Sequence, residues 1–337
     1  MQPAFTPEPF RPSRLWLNPH TQTVLANSLR DENGVSYRRV RLDTADGDFL
    51  DLDFASIPGI ELGYDTPLVL LLHGLEGSAR RSYASETYRQ LAQRGVRAVG
   101  MNFRSCSGEM NRTSTLYHAG KTDDVAAVVN WLDDLFPNAA KGMVGFSLGG
   151  NVLLKYLGEQ GEDTPIQAAA AVSPPFDLGR IARTFHLGSG RPYASRFMKS
   201  LRYKALNHTN QNGSVVDIQR VLAAKTMADF DDAVTAPLHG FRDADDYYAR
   251  NSSAQFIPGI RVPTLVIRAI DDPFFGSDIP HMALAANEHL LPLLLPHGGH
   301  VAFAEGICPR KFRYWAERQV ARFLAQFLHN SDNDRLQ

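Results

Sequence analysis

The sequence predicts an α/β protein built on a mostly parallel sheet covered by helices on both faces. Continuous apolar runs at 67–72, 96–101, 142–146, 166–172 and 263–267 alternate with helical patterns, which is how strands buried on both faces read. A G-x-S-x-G heptapeptide, Gly145-Phe146-Ser147-Leu148-Gly149-Gly150-Asn151, joins one such run to an amphipathic stretch. The chain is also long enough, at 337 residues with 44% hydrophobic and 21% charged, to bury a large core in one domain carrying an insertion.

In chain order, residues 1–35 are irregular and rich in Pro, Asn and Arg, and are expected to wrap the core. A hairpin comes next: Leu50, Leu52 and Phe54 alternate with Asp51 and Asp53 after the turn signal Ala45-Asp46-Gly47-Asp48, opposite Val40 and Leu42. Val125, Val128, Val129, Leu132, Leu135 and Phe136 recur at helical spacing behind Thr122-Asp123-Asp124, as do Phe312, Trp315, Val320, Phe323, Leu324 and Phe327 near the end. All of these are core-packing positions. Residues 176–256 are too long for a simple crossover, and they carry Phe185, Phe197, Phe230, Tyr247 and Tyr248 with mostly helical signals. A helical cap over the carboxyl ends of the strands is expected there. The core then comprises 36–175 and 257–330, with 331–337 a disordered tail.

The heptapeptide reads as a nucleophile elbow, in which a serine sits on a strained strand-to-helix turn flanked by glycines that leave room for the chain to pass. A serine hydroxyl needs a base. Downstream, the run Pro263–Ile267 leads to Asp271-Asp272-Pro273, and Pro296-His297-Gly298-Gly299-His300 places histidine in a glycine-loosened loop. The chain order Ser, Asp, His is that of the α/β-hydrolase fold. Ser147 is then the nucleophile and His300 the base. Asp272 is the acid by its place at the strand end, with Asp271 the alternative, otherwise a loop-capping neighbour. Backbone N–H groups of Leu75, in the turn after the apolar run 68–72, and of Leu148 are expected to form the oxyanion hole. His73 braces that turn, and His297 is structural.

A net charge of −1 and a pI near 6.8 give no reason to expect nucleic acid as a partner. Cys106 and Cys308 are too few and too far apart for a disulfide framework or zinc site, and His297 with His300 lacks clustered ligands for a metal. No cofactor is expected. Without a signal peptide pattern or a long apolar span, the chain reads as cytoplasmic, with no stable membrane anchor.

The chain resembles the YheT-like α/β-hydrolases, related to the eukaryotic ABHD1/2/3 hydrolases. The resemblance rests on Asn18-Pro19-His20-Thr21-Gln22-Thr23, His73-Gly74-Leu75-Glu76-Gly77-Ser78, Asn102–Glu109, Tyr117–Asp124, the heptapeptide, Ala236-Pro237-Leu238-His239-Gly240-Phe241, Asp271-Asp272-Pro273-Phe274 and His297–His300. It covers nearly the whole chain, and it implies Ser147, an Asp of the 271–272 pair and His300 as a triad. Ser105 stands where the family tends to carry glycine, and Thr21 where a larger apolar residue is usual. Together these observations predict a serine hydrolase cleaving carboxylic esters of small to medium acyl chains, on a small-molecule ester or lipid substrate. An acyltransferase, a thioesterase or a lipid-acting lipase would use the same triad, and a non-catalytic binding module the same scaffold.

Overall fold

The computed structural model describes residues 4–30, 34–212, 216–276, 278–307 and 312–335. Eight strands form one sheet in the order β1-β2-β4-β3-β5-β6-β7-β8: β1 (Ser36–Asp43), β2 (Phe49–Ser56), β3 (Leu68–Leu72), β4 (Arg97–Asn102), β5 (Lys141–Phe146), β6 (Ile166–Val172), β7 (Thr264–Ala269) and β8 (Leu290–Leu295). β3 to β8 are mutually parallel. The hairpin β1–β2 pairs Val40 with Leu52 and Leu42 with Leu50, and joins β4 antiparallel.

Alternation along β3 shows why its apolar run is unbroken. Leu68, Leu70 and Leu72 enter one core with helices Thr122–Leu135 and Leu148–Gln160, while Val69 and Leu71 enter the other with helices Ser82–Ala92 and Trp315–Arg335. Each fully buried side chain of this size contributes roughly 1.5–3 kcal/mol. A polar residue at either register would face a dry interior. The fold class expected from the sequence is therefore the one observed.

Residues 4–30 do wrap the core, but they are not irregular throughout. Asn18 accepts the amides of His20 and Thr21, Pro19 occupies the first helical turn, and a π-helical turn Gln22–Ala26 comes after it. Trp16 Nε1 donates to the Gly306 carbonyl at 2.7 Å and Trp315 Nε1 to that of Glu8 at 2.9 Å. The last helix reaches Arg335, because Trp315–Arg335 contains neither Gly nor Pro to end it. The disordered tail expected at 331–337 is thus helical through Arg335, and residues 336–337, like Cys308, lie outside the described residues.

Between β6 and β7 the chain is helical, through Leu178–Thr184, Arg191–Asn212, Ile218–Ala223, Met227–Phe230 and Ala236–His239 to Ala244–Asn251. The last of these, with the turn Ser253–Gly259, belongs to the core as much as to a cap. Asn151 of the elbow helix donates to the Asn251 carbonyl and accepts the Ser253 amide at 2.8 and 2.9 Å. Gly158 lies so close to Phe256 that a Cβ would come within 2.1 Å of its carbonyl. Among the described residues no helix is long and apolar enough to cross a membrane.

Candidate active site

Ser147 follows β5 directly and takes φ 53° and ψ −120°, a backbone region that costs a non-glycine residue of order 1–3 kcal/mol and persists where the surroundings enforce it. The glycines around it are the enforcement. A Cβ on Gly145 would fall 2.4 Å from the Gly149 carbonyl oxygen, and one on Gly149 would fall 2.4 Å from that of Leu72. The turn therefore closes only with glycine at both positions, and it lifts the Ser147 hydroxyl off the carboxyl end of the sheet.

Ser147 Oγ lies 2.9 Å from His300 Nε2, and His300 Nδ1 lies 2.8 Å from Asp272 Oδ2. Asp272 Oδ1 accepts the amide of Phe274 at 2.8 Å. Burial alone would raise the Asp272 carboxyl, but His300 and Arg268 hold it below the ordinary carboxylate range. Arg268 also donates to Asp272 Oδ2 and, at 3.1 Å, to the Gly276 carbonyl. Its signal in the sequence is a cation inside the otherwise apolar run of β7. Phe274 stacks on the His300 ring with centroids 4.1 Å apart.

Asp271 does something else. Its carboxylate accepts the Gly299 amide at 3.0 Å and meets His297 Nδ1 at 3.1 Å, so it caps the loop that carries His300 and is not itself in contact with that ring. The N-terminal segment closes the same loop from outside: Thr23 Oγ1 accepts the His300 amide at 2.9 Å. No motif in the sequence links Thr23 to His300 across 277 residues.

Leu75 and Leu148 flank Ser147 in the wall of one cavity. The turn bearing Leu75 is held from several sides. His73 Nδ1 donates to the Gly74 carbonyl at 2.7 Å, and its Nε2 accepts the Phe103 amide at 3.1 Å. Burial pushes His73 down to about 3, so the ring stays neutral and keeps both bonds. Glu76, at φ 53°, meets Lys204 Nζ of the long cap helix at 2.9 Å, accepts from Tyr117 at 2.7 Å and accepts from Ser200. This buried ion pair ties the cap to the turn that bears Leu75, and sequence reasoning missed it. Ser105, where the family resemblance expects glycine, does sit at φ 60°, with its amide held by Asn111.

Two cavities meet at Ser147. The inner one, about 130 Å³, lies under the cap and is walled by apolar and aromatic side chains that include Ile181, Phe185, Phe197, Phe230 and Val234. The outer cleft, about 480 Å³, is lined by His300, Gly74 and Val301 on the core side and by Tyr193 and Arg196 on the cap side. Ser147 can thus address a group on either side, with His300 opening only onto the outer one. Among the described residues no cluster of three or more His, Cys, Asp or Glu could hold a metal ion.

A family model described as the alpha/beta hydrolase fold matches residues 67–307. YheT of Escherichia coli (strain K12), to which esterase activity is ascribed, is 34% identical over 325 residues, covering 95% of this chain and 94% of its own. The monoacylglycerol lipase of Saccharomyces cerevisiae is 34% identical over 272 residues, 77% of this chain and 59% of that protein. The phospholipase ABHD3 of Homo sapiens is 30% identical over 298 residues, 87% of this chain and 73% of that protein. Among solved structures, the Pyrococcus furiosus esterase Pf2001 superposes with a TM-score of 0.57 at 17% identity, covering 94% of this chain and 100% of that one. That likeness is one of fold.

Proposed function

Because the chain belongs to the α/β-hydrolase fold family, in its YheT-like branch, we propose that it is a serine hydrolase that cleaves carboxylic esters through an acyl-enzyme. The observation that carries this reading is the unbroken hydrogen-bonded line from Ser147 Oγ through His300 to Asp272, at 2.9 and 2.8 Å, beside an apolar cavity.

In the proposed reaction Ser147 Oγ attacks the ester carbonyl while His300 Nε2 takes its proton. Asp272 keeps the other ring proton on Nδ1 and stabilises the imidazolium that forms. The negative charge that develops on the carbonyl oxygen is met by the N–H groups of Leu75 and Leu148, each of which is worth a few kcal/mol (about 3–4) in such a site. Collapse expels the alcohol with the proton from His300, and water then repeats the sequence to free the acid. The leaving alcohol must depart on the side that His300 reaches, so it occupies the outer cleft. The acyl chain then lies in the inner cavity.

Apolar walls of that size suit small to medium acyl chains. The names of the yeast and human relatives, a monoacylglycerol lipase and a phospholipase, support an acyl ester of a lipid-like kind within the same reading. The test is a panel of p-nitrophenyl esters of increasing chain length beside thioester and anilide analogues. Wild type should turn over esters with a graded length optimum, and Ser147→Ala should lose that turnover while keeping its melting temperature. Anilides or thioesters far outpacing esters, or ester turnover surviving in Ser147→Ala, would overturn the proposal.

A further inference from the structure

Several polar side chains interrupt the apolar wall of the inner cavity, and most are committed to one another. Tyr117 and Lys204 hold Glu76. Thr235 and Tyr248 each donate to the Asp231 carboxylate at 2.6 Å. Tyr247 Oη accepts the Ala119 amide at 2.9 Å. His118 and His239 are different. Both line the cavity, and their rings pack together with centroids 4.4 Å apart.

His118 Nδ1 accepts the Gly120 amide at 3.1 Å, which leaves the ring proton on Nε2. His118 as a whole is 8% exposed, and its ring makes its one hydrogen bond among the described residues through Nδ1, which leaves Nε2–H facing the cavity. The Nε2 of His239, by contrast, is buried with no partner. Buried polar atoms are nearly always paired, so the unpaired His239 Nε2, packed beside the His118 ring in the wall of the cavity, points to a polar partner carried by the ligand.

The charge state narrows what that partner is. Burial drives both imidazoles down, His118 well below its ordinary value and His239 to about 4, each pushed further by cations or by the other ring. Near neutral pH both rings are uncharged, so neither ring supplies a positive charge to pair with a carboxylate or phosphate. A neutral oxygen is the complement. A hydroxyl suits best, since it can accept from His118 Nε2–H and donate to a bare nitrogen on His239, whereas a ketone can only accept.

The pair is also held rigidly. Phe241 and Tyr247 pack edge-on against the His118 ring, and Asn151 of the elbow helix donates to the carbonyl of Ala119 at 2.8 Å. His239 closes the helix Ala236–His239 just before Gly240 turns into the left-handed region. One ring thus comes from the core and the other from the cap, so the two meet only in the assembled cavity.

We propose that His118 and His239 form a recognition point for a neutral oxygen on the acyl chain, making esters of hydroxylated or oxo-substituted acids the preferred substrates. This rests on the assignment of the inner cavity to the acyl group. The experiment uses p-nitrophenyl esters of one chain length, plain or carrying a hydroxyl or a ketone at successive carbons, with fluorophosphonate labelling of Ser147 run in parallel. At one position along the chain the hydroxyl should raise kcat/KM about ten-fold over the plain ester, the worth of one well-made neutral hydrogen bond, and more than the ketone does. That ratio should fall to about one in His239→Leu and His118→Phe, and survive in part in His239→Gln, whose amide keeps a polar group at similar reach. A wild type that labels at Ser147 yet prefers plain chains at every position would overturn this inference alone, as would a preference that persists in both apolar variants. Absence of labelling and of all ester turnover would take down the underlying hydrolase reading with it.

Discussion

Replacing Asp272 by Asn exchanges one oxygen for nitrogen in a fully buried side chain, and the surrounding donors dictate how the new amide sits. The amides of Phe274 and Phe275, at 2.8 and 3.3 Å, face Asp272 Oδ1 and can only donate. The new amide must therefore keep its oxygen there and turn its nitrogen toward His300 Nδ1 and Arg268. An amide nitrogen cannot accept the Nδ1 proton, so that proton moves to Nε2, the atom that has to receive the one from Ser147. The expected loss in kcat is about 10⁴-fold, or about 5.4 kcal/mol at 1.36 kcal/mol per decade. Asp271→Asn keeps an oxygen for the Gly299 amide and loses only a pair with a His297 side chain that is 44% exposed, an interaction worth at most about 1 kcal/mol. Its loss should stay under about ten-fold. Initial rates on a p-nitrophenyl ester, with melting temperatures to certify folding, read both numbers. The opposite ranking would transfer the acid's role to Asp271, and equal small losses would refute the tautomer argument.

Three further outcomes are expected from other parts of the site. Burial pushes Asp231 up to about 6, with hydroxyl bonds from Thr235 and Tyr248 only partly opposing it. A carboxyl raised in the folded state binds its proton more tightly there than in the unfolded chain, so stability falls as pH rises from about 4 through about 6, by at most about 3 kcal/mol. Asp231→Asn should remove that slope from the melting temperature measured against pH. Lys204→Met strands Glu76 with only hydroxyl partners beside the turn proposed to form the oxyanion hole. It should lower kcat about ten-fold with little change in KM, since one charged hydrogen bond is worth about 1.5–3 kcal/mol, and adding Glu76→Gln should recover part of the loss. Phe185→Ala and Phe197→Ala enlarge the inner cavity and should shift the acyl-length optimum to longer chains, in graded steps of about 1–3 kcal/mol per methylene. An unchanged profile in both folded variants would move the acyl site out of that cavity.

Much of this molecule is legible in its sequence because the decisive features are local. Strands β3 to β7 announce themselves as largely apolar runs, since each is buried on two faces, and the elbow's glycines are demanded by backbone contacts close to Ser147. What the sequence does not display is contact across long separations. Thr23 against His300, Glu76 against Lys204, and His118 against His239 each join residues more than a hundred positions apart, and nothing in either local pattern names the other partner. The choice between Asp271 and Asp272 is similar: adjacent residues of the same type diverge only because the loop sends one carboxylate toward His300 and the other toward the Gly299 amide. The cap is legible as helical from its composition. Its last helix is shared with the core because Asn151 reaches it from the elbow helix, a bond spanning a hundred residues.

Locating the covalent intermediate decides whether Ser147 is the nucleophile. Wild-type protein is treated with a fluorophosphonate, and separately with a slowly deacylating ester under rapid acid quench, and the proteolysed peptides are mapped by mass spectrometry. A single phosphonyl adduct and a single acyl adduct are expected, both on the Ser147 hydroxyl and both absent from Ser147→Ala. An adduct on another residue, or ester turnover by a protein in which Ser147 never becomes labelled, would contradict the assignment.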